Sequence, residues 1–201
     1  MANPDTPRGL WPRRYLNGAP WNGQANRYYV PATDTNAAIY LGGLVKPAGS
    51  ADTRGVMSVT GNISTGNAVV GVVVGVEPLG GVGGVGRDAT IYRANSTERY
   101  VLVADDPNIL FVVQDDAAAT LTAAAVGDVA DLTGFTSGST TTGYSSIEIS
   151  AASVTNNGDQ TEDVVIFGLD DIPNNDIGAN ADWLVRLNNH FYVDGTDGSG
   201  A

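Results

Sequence analysis

The chain has no cysteine, which excludes disulfide staples and thiolate metal sites alike. It has one histidine, His190, and no Gly-x-Ser-x-Gly, so no Ser-His-Asp set of recognisable pattern can be assembled. No apolar run is long enough to cross a membrane, and the longest, Ala68 to Val76, is interrupted by two glycines. The amino terminus has no apolar h-region and does not read as a signal peptide, so the expected product is soluble and made in a cytoplasm. Helical periodicity is almost absent. Basic residues are also scarce, ten against 22 acidic, for a net charge of −12.

What is present is strand grammar. Runs rich in Val, Ile, Thr and Tyr recur about every ten residues between Gly, Asn, Asp and Pro, which predicts an all-β protein with a β-sandwich or barrel-like body. At 201 residues and 42% hydrophobic content there is material for a real core. Expected strands are Arg27–Val30, Ala38–Val45, Val56–Thr60, Ala68–Val76, Ala89–Arg93, Tyr100–Ala104, Ile109–Gln114, Asp128–Leu132, Ser146–Ser150, Thr161–Leu169 and Trp183–Asn188. Ala117–Val126 reads as one helical turn or a loop. Gly80–Gly86 and Gly134–Gly143 read as glycine-rich loops. Gly43–Pro78 and Gly127–Pro173 are loosely alike, either a duplicated β-unit or the ordinary grammar of strands and turns.

Charge and aromatics are unevenly placed. Residues 1–31 hold two of three tryptophans, five of nine prolines and four of nine arginines against one acid, Asp5. That segment sums to +3, and the remaining 170 residues to −15. The composition predicts an extended N-terminal arm, 1–31, on an acidic β-rich body, 32–201. Trp11, Arg13, Arg14, Tyr15, Trp21, Arg27, Tyr28 and Tyr29 are the residue types that anchor interfaces, and the prolines forbid a continuous helix. Arg27–Val30 serves equally as a strand added to a partner or as one in the body's own sheet. A body this acidic repels phosphate backbones, which argues against nucleic acid as a partner.

Several patterns imitate chemistry. Gly81, Gly83 and Gly86 satisfy G-x-G-x-x-G, with a second strand ending in acid at Asp105. Glu77-Pro78 separates the first strand from the glycines, however, and Arg87–Tyr100 has no apolar helical stripe. Asp105-Asp106, Asp115-Asp116 and Asp170-Asp171 each follow an apolar strand, and adjacent residues on a strand point apart; they read as solvated turn residues rather than a calcium cluster or catalytic pair. Asp194–Gly198 lacks the later bidentate Glu of a calcium loop. His190, beside Asn188, Asn189 and Phe191, belongs to a terminal strand or its turn. No cofactor and no catalytic residue is expected.

The opening Met1–Leu10, the stretch Leu16–Pro20 leading to Arg27–Pro31, the middle Val70–Pro78 and the late Asp176–Val185 resemble virion structural proteins of tailed bacteriophages, more specifically capsid decoration or cement proteins. The resemblance implies a β-rich body, a trimer near capsid three-fold positions and an arm that reaches across neighbouring subunits. It implies a non-enzymatic role on the virion's outer capsid surface, with the major capsid protein and further copies of the chain as partners. The alternative is a head-fibre-like host-surface or carbohydrate-binding module whose glycine-rich loops form the site.

Overall fold

The computed structural model describes residues 3–35, 37–80, 87–88, 90–156 and 161–193. It is all-β. The first unit is a closed barrel of β2 (Asn26–Val30), β4 (Met57–Thr60), β3 (Leu44–Ala51), β5 (Gly71–Val76) and β8 (Arg99–Ala104), joined in that order. Its neighbours run antiparallel except β2 and β4, which meet in parallel at Tyr29 and Ser58. The second is a five-stranded antiparallel sheet, β1 (Trp11–Tyr15), β9 (Ile109–Gln114), β14 (Asp182–Leu187), β13 (Val164–Leu169) and β10 (Val129–Ala130). Two small pairs, β6 (Leu79–Gly80) with β7 (Arg87–Asp88) and β11 (Leu132–Thr133) with β12 (Glu148–Ile149), complete the set.

Strand alternation decides where each core lies. In the barrel, Tyr28, Val30, Val45, Val59, Val73, Val101 and Val103 cluster inside, because successive side chains on a strand point to opposite faces. Their neighbours Leu44, Val72 and Ala104 lie in register across β3, β5 and β8. That row turns outward and joins Phe111, Val113, Ile166, Trp183 and Val185 of the sheet in the larger core. The barrel wall is therefore buried on both faces where the sheet packs on it. This is why the run from Ala68 to Val76 is apolar without alternation. Gly71 is required there, since a Cβ would collide with the Ala104 carbonyl.

The segment expected to be an arm is woven into the body. Asn3–Arg8 crosses one end of the sheet, where the Thr6 N–H donates to Gln114 Oε1 (2.9 Å) and Gln114 Nε2 donates to the Pro4 carbonyl (3.0 Å). Leu10, with no solvent exposure, enters the larger core beside Leu44 of the barrel. Gly9 and Gly42, both at positive φ, allow this crossing, because a Cβ on either would strike the other strand's backbone. β1 then edges the sheet and β2 becomes a barrel stave, so residue 31 is no boundary in the packing. Of the two readings of Arg27–Val30, the chain's own sheet is the one observed.

β1 was not among the expected strands because Pro12 argues against one. Pro12 pairs with Phe111 at the sheet's edge, the place where a missing N–H is tolerated. Of the expected strand Ala38–Val45 only Leu44 and Val45 belong to a strand, and of Ala89–Arg93 the described residues 90–93 are irregular, linked to the former by a single bridge between Ile39 and Arg93. The Arg93 side chain has no solvent exposure and donates to the carbonyls of Pro31, Asp34, Ala37 and Thr97. It ties loops together where a ladder was expected. Ala117–Val126 contains one 3-10 turn, Ala123–Ala125, capped by Thr122.

Candidate contact surface

The eight residues read from the sequence as interface anchors fall into two groups. On β2, Tyr28 is buried and donates its hydroxyl to Asp105; burial first, then that carboxylate, pushes its ionisation well above the usual range. Arg27 and Tyr29 face outward. The Arg27 guanidinium lies 3.5 Å from the Tyr100 ring centroid and 2.8 Å from Glu77 Oε2, and Tyr29 packs on Tyr100 at 5.4 Å. These groups are matched within the barrel's own surface.

The second group lies on and beside β1. Tyr15 pairs with Ile109 and packs against the larger core, as does Trp21 from the β1–β2 connector. Trp11 pairs with Val112, and Arg14 with Leu110. Val112 in turn pairs with Leu184. Because directly paired residues share a face, Trp11, Arg14, Leu110, Val112 and Leu184 all lie on the side of the sheet away from the barrel. Arg186 follows two places after Leu184 on the same face. Arg13 occupies the bulge in β1 and reaches Asp170 at 3.3 Å.

Leu110, Val112 and Leu184 form a small apolar cluster of their own, each at most 6% exposed. The Arg14 guanidinium spans this face and sits 5.7 Å from the ring of Phe167. Phe167 falls where the β13–β14 register shifts and is 44% exposed. Trp11 stands edge-on to Tyr144 at 5.5 Å and donates its indole N–H to the Arg8 carbonyl. At the other end of the face the Asn3–Arg8 crossing covers Gln114, and Arg8 pairs with Asp182 at 2.8 Å. The open end therefore presents arginines and aromatics over a sealed apolar floor.

Leu110, Leu184, Phe167 and Arg186 were absent from the sequence-based set. The signal was available in Ile109-Leu-Phe-Val-Val, apolar at every position and buried throughout. A strand without alternation has both faces covered. What covers the second face here is long side chains, whose apolar stems lie along the surface while the charged heads stay in water.

The acid pairs need correcting: their first members are not all solvated turn residues. Asp115 has no solvent exposure and accepts from the backbone N–H groups of Ala117, Asn180 and Ala181 and from Trp183 Nε1, each at 3.0 Å. Asp170 is 6% exposed and paired with Arg13. Asp163 likewise accepts from the backbone of Gly66 and Leu132. Asp115 and Asp163 each hold a turn by replacing water with several donors. Glu148 differs: burial, then Asp5, Asp116 and Asp115, raises its pKa to about 7.

Among the described residues no group of three or more His, Cys, Asp or Glu side chains could hold a metal ion, and no helix is long and apolar enough to cross a membrane. Gly81, Gly83 and Gly86 lie outside the described residues, as does Asp194–Gly198. β5 and β8, the strands flanking those glycines, pair antiparallel, whereas a dinucleotide fold needs a parallel crossover. His190 bridges to Val69 just before a terminal turn. Compared with known proteins, the chain matches no family model, no curated protein and no solved structure.

Proposed function

We propose that the chain is a non-enzymatic virion structural protein that binds the outer capsid surface of a tailed phage and cements neighbouring major capsid subunits. The observation that carries this reading is the outward face of the sheet. On a molecule of net charge −12, Arg14 and Arg186 lie on this face with Trp11 and an exposed Phe167, and Arg13 sits beside it in its pair with Asp170. Arginine and large aromatics over a desolvated floor are the usual make-up of an energetic hot spot. Such a face on an acidic protein suits an acidic partner, with the remaining surface supplying repulsion against wrong docking. The partner is the major capsid protein, and a trimer of the chain at a three-fold position is the arrangement that the resemblance implies.

The test is binding to expanded, undecorated capsids by co-sedimentation and by imaging of the decorated shell. Reversal of two charges, Arg14→Glu with Arg186→Glu, is expected to lower affinity at least tenfold while thermal unfolding stays that of a folded protein. Phe167→Ala is expected to cost about 2 kcal/mol of binding. Wild-type occupancy by both folded variants would remove this face from the contact.

A further inference from the structure

The connector between β1 and β2 and the turn between β8 and β9 enclose an open cleft of about 440 Å³, lined by Tyr15, Gln24, Asn26, Asp105 and Asp106. A second space of about 370 Å³, against Asn17 and Asn108, shares Tyr15 and Asp106 with it. The two spaces adjoin at the half-buried Tyr15 and at Asp106, and are treated together as one trough.

The polar groups of this trough are fixed before any ligand arrives. Asn26 Nδ2 donates to both oxygens of Asp105, at 3.0 and 2.9 Å, and Tyr28 donates to the same carboxylate from below. The Asn108 backbone and side-chain N–H groups both donate to Asp106 Oδ1, at 2.8 and 3.1 Å. The Tyr15 hydroxyl donates to Gln24 Oε1 at 3.2 Å. Asp105 Oδ2 and Asp106 Oδ1 each already accept twice, so the acceptor capacity left in the trough is on Asp105 Oδ1 and Asp106 Oδ2, and the Asn108 amide keeps a second N–H.

Chemistry then narrows the ligand. Two carboxylates with no basic residue in the lining repel phosphates, nucleotides and acidic sugars. A lining of this polarity does not suit an apolar guest. Amides and carboxylates beside one aromatic ring match a neutral molecule whose hydroxyls both donate and accept, and whose apolar ring face lies on an aromatic side chain. We propose that this trough is a binding site for a neutral oligosaccharide, with Tyr15 as the stacking face and Asp105, Asp106 and Asn108 as the hydroxyl partners. Asn108 also borders Arg186, so the trough adjoins the outward face; sugar titration and capsid co-sedimentation read the two separately.

The test is a titration of the full ¹⁵N-labelled chain with maltotriose, cellotriose and triacetylchitotriose, each to about 20 mM, which reaches weak affinities near the 1 mM scale. The expected result is a saturable shift of the Gln24, Asn26 and Asn108 side-chain amides with at least one of the three. Tyr15→Ala is expected to weaken it at least tenfold. Because Tyr15 also packs on the core, the exposed Asp106→Ala provides a second variant, expected to weaken binding at least threefold in a protein of unchanged spectral dispersion. No shift with any sugar, or shifts only with calcium chloride or spermidine, would overturn the proposal, as would full binding by folded Asp106→Ala and Tyr15→Ala.

Discussion

Glu148 shows how one side chain makes stability depend on pH. Its folded pKa of about 7 stands above its ordinary value near 4.3, because it is partly buried among Asp5, Asp116 and Asp115. The unfolded chain therefore gives up this proton at lower pH than the folded one. The favourable contribution is whole below about pH 4 and is lost as pH rises through 7. Glu148→Gln keeps the neutral form at every pH, so we expect it to match the parent near pH 4 and to exceed it by about 1–2 kcal/mol above pH 7.5, allowing for solvent screening. Denaturant melts at the two pH values measure the difference; equal gains at both would place the effect in packing rather than charge. Asp115 is the contrasting case, a carboxylate whose four donors sit in place around it. The sequence did not separate these two acids. Both are acids in or beside an apolar strand, and their surroundings come from distant positions: Asn180 and Ala181 for Asp115, and Asp5, Asp116 and Asp115 for Glu148.

At the scale of elements, the N-terminal strands define what can be removed. A chain lacking residues 1–8 loses the Arg8–Asp182 pair and the bonds to Gln114, and leaves Asp182 without its guanidinium. It is expected to fold with about 2–4 kcal/mol less stability. A chain lacking residues 1–30 also loses the sheet edge and a barrel stave, and is expected to show no cooperative melt by circular dichroism. A native-like melt from the shorter chain would mean that neither strand is needed. Most strands were legible, β9 to the residue, because Val, Ile and Phe between turn residues specify a pleated, buried surface. The role of 1–31 was not. Trp, Arg and Pro describe equally an arm seeking a partner and a border strand finding one within the chain, and only the pairing of β1 with β9 distinguishes them. The candidate site was half legible for the same reason: Trp11 and Arg14 were marked by type, whereas Phe167 and Arg186 reach them only through the register of β9, β14 and β13.

For the whole molecule, barrel and sheet share one core, and Leu10, just before β1, is buried in it. The two units are thus expected to unfold together. Leu10→Ala removes a side chain with no solvent exposure and should cost about 2–5 kcal/mol. Amide exchange would show the loss equally in barrel strands such as β8 and sheet strands such as β14; protection lost in only one of them would mean two independent domains.

The pairing of β1 with β9 and of β2 with β8 joins residues 11–30 to residues 99–112, which sets a kinetic order. Neither unit can close until roughly the first half of the chain has been made, and closing such a loop carries an entropic cost before any contact offsets it. Folding should accordingly be slow for the chain's size, in the range of milliseconds to seconds typical of all-β topologies. The same threading works in reverse once the protein is folded. β1 can leave only by giving up the sheet's edge, and β2 only by opening the barrel, so a segment that looked suited to letting go is held by both units.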